Sequence, residues 1–253
     1  MRLRDHPPTL SVVIPAYNEA GRLPETLVRV GEWVGANPRW LPAEVVVVDD
    51  GSRDGTDTIA ARVVPPTGVT LRIVRHPRNR GKGAAVRTGM QASRGVWVLV
   101  CDADLATPIE ELETLRLAEV EFAAGSRAVR RELIVRRQPL PRDLMGRAFN
   151  LMLRILGLTG LKDTQCGFKL LEGELARRLA TEQRLDGFAF DVELLTRAQR
   201  HGARIAEVPV HWYHMEASRV HPVRHSLQMA RDVLRLRWWL WWEGSSIDTP
   251  PDQ

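Results

Sequence analysis

The segment VWVLVCDADLATP, residues 96–108, carries two aspartates directly after a short apolar run. The β-branched and apolar residues from Val96 to Val100 predict a strand that is buried on both faces. Side chains two residues apart on a strand point the same way, so continued extension would bring the carboxylates of Asp102 and Asp104 together. Adjacent carboxylates repel unless one is protonated or a cation lies between them, and their oxygens favour Mg²⁺ or Mn²⁺. The alternative is a capping aspartate followed by a turn aspartate, with no chemistry.

Polar residues follow three of the four strands predicted in the N-terminal half. The strand patterns TLSVVIPAYNE, AEVVVVDDGS, TLRIVRH and GVWVLVCDAD alternate with helical patterns, which predicts a parallel sheet with right-handed crossovers. Ligands of such sheets bind beyond the carboxyl ends of the strands. The polar residues at those ends are Tyr17, Asn18, Glu19, Asp49, Asp50, Asp102 and Asp104. A functional site is therefore expected at this edge of the sheet.

The glycine-flanked Lys82 opens a predicted helix but matches neither common nucleotide-binding loop. Val86 replaces the third glycine of the dinucleotide fingerprint, and Gly83 replaces the Ser or Thr of the Walker A loop. A calcium loop beginning at Asp50 is excluded because Ala61 stands where a bidentate glutamate is required. A lysine at a helix start can still bind a diphosphate, together with the free amides of the first turn.

Composition restricts the class of protein. A chain of 253 residues is long enough for one large α/β domain or two tightly joined halves. It has no apolar run of 18 residues, its first ten residues lack the apolar core of a signal peptide, and its two cysteines form no disulfide framework. These features favour a cytosolic setting without a transmembrane helix. The net charge is +5.

Several motifs together resemble one enzyme family. VVIPAYNEAGRLPETL, VVVVDDGSRDGT, RNRGKGAAVRTGM and DADLATP occur in the order typical of glycosyltransferase family 2. GSR at 125, DTQCGFKLL at 163, FAFDVELL at 188, EVPVHWYH at 207 and SRV at 218 resemble the polyprenyl-phosphate (dolichyl-phosphate) glucosyl- and mannosyltransferases of that family. The glucosyl branch is the more similar one. The resemblance extends from about residue 10 to residue 237.

The resemblance implies a single α/β domain of the glycosyltransferase A type, with a mostly parallel central sheet. Residues 1–126 are expected to form a nucleotide-sugar half and residues 127–217 an acceptor half. Residues 218–242 are expected to form a C-terminal amphipathic helix, and residues 243–253 a disordered tail.

The resemblance also assigns a donor site. Asp102 and Asp104 match the Asp-x-Asp pair that binds a Mg²⁺ or Mn²⁺ ion on the donor diphosphate, and Ala106 replaces the third metal ligand of some relatives. Asp50 matches the base-reading aspartate, with Asp49 as its alternative, and a carboxylate accepts hydrogen bonds from uracil and guanine alike. The remaining nucleotide-sugar residues are Pro15, Tyr17, Glu19, Lys82 and Arg219.

The acceptor site is expected in the second half of the chain. Arg127, Arg147 and Gln165 are its candidates, since arginine binds phosphate bidentately. Asp191 and Glu193 are the candidate general bases, which a hydroxyl acceptor would require. A phosphate acceptor is already anionic at neutral pH, so in that case both should be dispensable for chemistry. Asp191 has the alternative role of capping the helix that follows it.

The C-terminal segment has the composition of an in-plane membrane anchor. Leu227, Ala230, Leu234 and Trp238 recur at helical spacing, and four of the eight tryptophans lie within residues 238–242. Tryptophan beside arginine on one helix is typical of the membrane interface. The alternative is a helix whose tryptophans pack on the domain or on a partner subunit.

We therefore predict an inverting, metal-dependent transfer of a hexose, with UDP-glucose as the preferred donor, to a polyprenyl phosphate at the inner face of the cell membrane. GDP-mannose as donor, a hydroxyl (glycan) acceptor and an inactive sugar-nucleotide-binding module are the alternatives. No nucleic-acid partner is expected, and a homo-oligomer is possible.

Overall fold

The computed structural model describes residues 7–136, 140–214 and 222–245. These residues form nine strands and eight α-helices. The strands are β1 (Leu10–Ala16), β2 (Ala43–Asp49), β3 (Val69–Arg75), β4 (Trp97–Cys101), β5 (Phe122–Ser126), β6 (Ile134–Arg136), β7 (Phe168–Glu172), β8 (Ile205–Pro209) and β9 (Trp212–Tyr213). Seven of them form one sheet in the order β3-β2-β1-β4-β7-β5-β8, and β6 pairs with β9.

The helices lie between the strands in the alternation that the sequence predicted. They are α1 (Leu23–Gly35), α2 (Thr56–Ala60), α3 (Lys82–Ala92), α4 (Glu111–Arg116), α5 (Leu140–Ile155), α6 (Gly173–Glu182), α7 (Phe190–Arg200) and α8 (Pro222–Ser245). Short 3₁₀ helices occupy Pro38–Trp40 and Arg131–Leu133.

The central strands are apolar throughout because helices cover both faces of the sheet. Alternate residues of β2 enter two separate cores. Val45 and Val47 pack in a first core with α1 and α4, whereas Val46 and Val48 pack in a second core with α3, α6, α7 and α8. Burial on both faces is typical of a parallel α/β sheet, so the predicted fold class is confirmed.

One strand of the main sheet departs from the parallel pattern. β7 lies antiparallel between β4 and β5, and Phe168 at its start pairs with Cys101 at the end of β4. The segment that precedes β7 therefore reaches the carboxyl edge of the parallel strands. The predicted halves share this one sheet, since β7 and β8 belong to the second half and β1 to β4 belong to the first.

Helix α8 packs one face on the domain and leaves the other in solvent. Val233, Leu236 and Leu240 are buried in the second core. The helix runs from Pro222 to Ser245, three residues past the predicted end. Within the described ranges, no helix has both the length and the apolar character needed to cross a bilayer.

Candidate active site

The two candidate metal ligands lie on a turn rather than on a continued strand. β4 ends at Cys101, and the amide of Leu105 donates to the carbonyl of Asp102 at 3.1 Å. The expected extension through Asp104 is therefore wrong, because the chain turns as soon as it leaves the sheet. Burial and the charge of Asp102 raise the pKa of Asp104 above its ordinary value, so the two carboxylates still repel each other on this turn.

Asp104 also shapes this turn. Its Oδ1 accepts a hydrogen bond from the amide of Ala106 at 3.1 Å. The alternative of a turn aspartate thus accounts for part of its role. A turn role does not explain why Asp102 is also present, because a second negative charge in a partly buried position repels Asp104 and does not stabilise the turn.

Asp102 is held by a close contact that the sequence analysis did not anticipate. A Cβ built on Gly167 would lie 2.0 Å from Oδ2 and 2.4 Å from Cγ of Asp102, so only glycine leaves room for this carboxylate. An isolated glycine in a strand-like pattern marks such a close approach, and Gly167 directly precedes β7. Part of the DTQCGFK motif therefore lies against one of the two candidate metal ligands.

Two cations balance the carboxylates. Lys82 Nζ lies 2.6 Å from Asp102 Oδ1. Burial opposes the charge of Lys82, but Asp102 and, less strongly, Asp191 and Asp104 raise the pKa of its ammonium above the ordinary value. Arg22, which the sequence analysis missed, forms two hydrogen bonds with Glu19 and is also attracted by both aspartates.

The carboxylate pair fits a divalent cation as part of its coordination shell. Two oxygen donors that repel each other suit Mg²⁺ or Mn²⁺, which usually keep waters and substrate oxygens as their other ligands. Within the part of the chain that the structure describes, no group of three or more His, Cys, Asp or Glu is arranged to hold a metal.

The residues after β1 dock against the turn after β2. Tyr17 is exposed, whereas Pro15 is buried inside β1. Asn18 has a left-handed backbone, and its Oδ1 accepts from the amide of Arg53 at 2.9 Å. The amide of Glu19 donates to Thr56 Oγ1 at 2.8 Å. The two predicted nucleotide segments thus form one surface, with the ring of Tyr17 accessible.

Asp49 and Asp50 are enclosed and brace neighbouring loops. Asp50 accepts from the amides of Arg80 and Gly81 at 2.9 and 2.8 Å, and its Oδ1 lies 2.7 Å from His76 Nδ1. Asp49 Oδ1 accepts from the amide of Ser52, while its buried Oδ2 has no hydrogen-bond partner. Both carboxylates therefore have folding roles that the sequence did not predict, besides the base-reading role proposed for one of them.

The first turn of α3 is partly covered. The amide of Ala84 donates to the carbonyl of Asp186 at 3.2 Å, and a Cβ on Gly81 would lie 2.4 Å from that same oxygen. One of the amides expected to be free is therefore bonded within the protein, and diphosphate binding at this helix start stays a prediction. The side chain of Lys82 remains the strongest candidate contact from this helix.

Arg127 is not the free cation that the sequence suggested. Its Nε and Nη2 donate to the two carboxylate oxygens of Asp163 at 2.7 and 2.8 Å, and its guanidinium lies 5.3 Å from the ring centroid of Trp212. Burial alone would raise the pKa of Asp163, but the guanidinium beside it and the hydrogen bonds lower that pKa to about 2. Much of the positive charge of Arg127 is therefore balanced within the protein.

This ion pair predicts a pH dependence of stability. The folded pKa of Asp163 is about 2 and the ordinary value is 3.8, so the pair should contribute fully above about pH 4 and lose its contribution as the pH falls towards 2. We expect Asp163→Asn to lower the free energy of unfolding by about 2 kcal/mol at pH 7, and the deficit to shrink between pH 4 and pH 2. Urea unfolding of both proteins across this range measures it.

The control for that measurement is Asp186→Asn. The Asp186 side chain is half exposed and pairs with Arg87 at the surface, so its replacement should change stability little at any pH. A deficit for Asp163→Asn that stays constant down to pH 2 would contradict the assignment of the low pKa to this pair.

The other acceptor candidates are placed only in part. Gln165 lies beside Asp163, and its buried Nε2 has no hydrogen-bond partner. Arg147 belongs to α5, but its side chain is outside the described part of the structure, and Arg219 lies outside the described residues altogether. A small cleft next to the carboxylates is lined by Asp102, Ala106, Thr107, Gly167, Phe168 and Trp212.

Both candidate general bases are buried and bonded to partners. Glu193 is fully buried and accepts from the amides of Arg184 and Leu185 and from Nε of Arg197. Asp191 is 3% exposed and its Oδ1 lies 2.6 Å from Lys169 Nζ. Asp191 is not the helix cap either, because α7 begins at Phe190 with Ala189 as its N-cap residue. Both carboxylates are held by partners within the fold.

Known proteins are similar to this chain in sequence and in fold. The model of the family "Glycosyl transferase family 2" matches residues 11–169. A dolichyl-phosphate beta-glucosyltransferase of Homo sapiens is 38% identical over 242 residues, which cover 90% of this chain and 74% of that protein. The enzyme of the same name from Saccharomyces cerevisiae is 34% identical over 252 residues, covering 90% and 74%.

Solved structures agree on the fold. Glucosyl-3-phosphoglycerate synthase from Mycobacterium tuberculosis, in complex with Mn²⁺, UDP and glucosyl-3-phosphoglycerate, superposes with a TM-score of 0.65 at 21% identity, covering 90% of this chain and 78% of that one. Mannosyl-3-phosphoglycerate synthase from Rubrobacter xylanophilus gives 0.66 at 21% identity, covering 90% and 73%. The fold is thus of the glycosyltransferase A type, and the chain belongs to glycosyl transferase family 2.

Proposed function

We propose that this glycosyltransferase moves glucose from UDP-glucose to a polyprenyl phosphate, with inversion at the anomeric carbon and with Mg²⁺ or Mn²⁺ bound by Asp102 and Asp104. The relatives named dolichyl-phosphate beta-glucosyltransferase support the sugar and the acceptor class. A structural neighbour solved with Mn²⁺ and UDP-glucose supports the donor and the metal.

One observation carries the choice of a phosphate acceptor. Asp191 and Glu193, the two carboxylates expected to act as a base, are buried and bound to partners. Deprotonation of a hydroxyl acceptor usually needs a carboxylate within hydrogen-bond reach. A phosphate needs none, because its second pKa is about 6 and an oxygen is anionic at neutral pH.

The reaction then requires positioning and charge balance. An acceptor phosphate oxygen forms a bond to the anomeric carbon as the bond from that carbon to the diphosphate breaks, and UDP leaves. A divalent ion, when bound, stabilises the negative charge of the departing diphosphate. Lys82 adds a positive charge beside Asp102. We assign the acceptor phosphate to Gln165, whose Nε2 has no hydrogen-bond partner, and to the Arg127–Asp163 pair.

A donor panel tests this function. Purified protein is incubated with polyprenyl phosphate, Mn²⁺ and radiolabelled UDP-glucose, UDP-galactose or GDP-mannose, and the lipid product is extracted and counted. Of the three donors, we expect only UDP-glucose to give a labelled lipid product. We expect no product when the corresponding polyprenol replaces the polyprenyl phosphate as acceptor. Equal or greater transfer from GDP-mannose would reject the donor assignment, and transfer to the polyprenol would reject the phosphate acceptor.

We also propose that α8 attaches the protein to a membrane surface in peripheral fashion. The outward face of the helix exposes Leu227, Leu234, Trp238, Trp241 and Trp242. Arg231, Arg235 and Arg237 are exposed on the same helix, and tryptophan with arginine suits an anionic membrane interface. Leu151 and Ile155 of α5, which contacts α8, add further exposed apolar surface.

Replacement of the exposed tryptophans should release the protein from membranes. We expect Trp238→Gln/Trp241→Gln/Trp242→Gln to lose most co-sedimentation with anionic liposomes while keeping transfer to a short, water-soluble prenyl phosphate. Truncation at residue 238 is a poorer test, because it removes the buried Leu240 and the ion pairs of Glu243 with α7.

The control for this test is Leu117→Gln. Leu117 is 78% exposed and follows α4, which packs in the first core on the other face of the sheet from α8. It should leave liposome binding unchanged. Unaltered binding of the triple variant would show that α8 is not the membrane contact, and a change in its oligomeric state would assign the tryptophans to a subunit interface.

A further inference from the structure

Lys169 is a buried lysine that the reaction described above does not use. It lies in β7 between two neighbouring strands and is 1% exposed. Burying an ammonium group is costly unless it is paired and hydrogen-bonded. Its Nζ lies 2.6 Å from Asp191 Oδ1 and donates to the carbonyl of Cys166. A buried ion pair often adds little net stability, so the neighbours of this pair bear on whether it has another role.

Both partners of Lys169 adjoin the donor site. Cys166 precedes Gly167, whose α-carbon packs on the Asp102 carboxylate. On the other side, Asp191 follows Phe190, and a Cβ on Gly83 would lie 2.7 Å from the Cβ of Phe190. The start of α7 therefore touches the start of α3, where Lys82 is located.

These contacts arrange charges of alternating sign. Lys169 pairs with Asp191, and Lys82 pairs with Asp102 at 2.6 Å. Lys82 is attracted by Asp191 as well as by Asp102. Asp191 is thus a second carboxylate that attracts the Lys82 ammonium, and it is buried at the start of α7. Any uncompensated charge on Asp191 would compete with the donor diphosphate for Lys82.

We propose that Lys169 is a positioning residue for the glycosyl transfer: by neutralising Asp191, it keeps the Lys82 ammonium on the side of Asp102 and the donor diphosphate. The inference rests on the proposed nucleotide-sugar donor. When Asp102 binds a divalent ion, its hold on Lys82 weakens, and the competing attraction of Asp191 then decides where the ammonium lies. The ion pair of Lys169 and Asp191 removes most of that competition.

The test is a double-mutant cycle read by donor binding. Lys169→Gln keeps a side chain that donates hydrogen bonds to Asp191 and the Cys166 carbonyl but removes the charge. We expect it to weaken the Kd of UDP-glucose with Mn²⁺ on the order of 10-fold, as losses of supporting contacts around metal sites typically do. Lys169→Gln/Asp191→Asn should recover most of that affinity, because no bare carboxylate then competes for Lys82.

Isothermal titration of folded protein distinguishes this from a purely structural role. A structural role predicts a lower melting temperature and an unchanged Kd for Lys169→Gln, which would overturn the proposal, as would a double variant no tighter than the single one. Lys162→Met, which changes an exposed lysine, is the control and should bind like the parent. Failure of the parent itself to bind any nucleotide sugar would instead reject the proposed function.

If Lys169→Gln does not fold, Lys169→Met/Asp191→Asn and Asp191→Asn must both bind within about twofold of the parent, and weaker binding of either overturns the proposal.

Discussion

Gly167→Ala is expected to lower kcat/KM for glucosyl transfer by about 100-fold, as small displacements of reacting groups typically do. The added methyl would overlap the Asp102 carboxylate, since a Cβ at this position lies 2.0 Å from Oδ2. The carboxylate must then swing away from its place beside Asp104 and Lys82. Isothermal titration should show UDP-glucose binding that no longer responds to Mn²⁺, because one of the two proposed metal ligands has moved.

Gly160→Ala is the matched control for this change. A Cβ on Gly160 meets no atom within 4 Å, so the substitution should leave both donor binding and stability close to those of the parent. Overpacking at Gly167 should also destabilise the fold, typically by about 1–3 kcal/mol, and folded protein must therefore be compared at low temperature. Mn²⁺-dependent binding of normal strength in Gly167→Ala would show that Asp102 does not need its present position.

The elements of the fold were predictable because their signals are local. Apolar strands followed by helical periodicity predicted the parallel sheet, and the polar strand ends after β1, β2 and β4 do meet at its carboxyl edge. The antiparallel β7 was not predicted, because strand order depends on pairing between residues far apart in the chain. The contact of Gly167 with Asp102 could not be predicted either, because it depends on the pairing of β7 with β4.

The sequence did not show how the charges at the site are paired, and the physical cause is the same for three residues. Arg127, Asp191 and Glu193 were chosen for their charge, but charge in a sequence does not reveal which partner neutralises it. In the structure, Asp163 binds Arg127, Lys169 binds Asp191 and Arg197 binds Glu193. Lys169 was the one available signal, because a lysine inside the apolar strand FKLLE is expected only where a carboxylate compensates it.

Asp104→Asn should abolish transfer, with a loss of at least about 100-fold, because it removes one of the two carboxylates proposed to bind the metal that stabilises the leaving diphosphate. The same change should raise the melting temperature of the protein without ligand. Burial and the charge of Asp102 raise the pKa of Asp104, which means that its ionised form is held at a cost at neutral pH. A neutral amide removes that cost, while its side-chain oxygen can still accept from the amide of Ala106.

Asp102→Asn separates this interpretation from a general loss of structure. It removes the same metal-binding charge, but it also breaks the ion pair with Lys82, so it should lose activity without any gain in stability. The two variants are compared by thermal unfolding without ligand and by titration of UDP-glucose with and without Mn²⁺. If the parent binds UDP-glucose equally well in both conditions, the metal assignment is wrong. Asp104→Asn could instead unfold at a lower temperature than the parent. In that case the hydrogen bond of Asp104 in the turn would stabilise the fold by more than the repulsion from Asp102 destabilises it. The argument that the two carboxylates are kept together at a cost in stability in order to bind a cation would then be wrong.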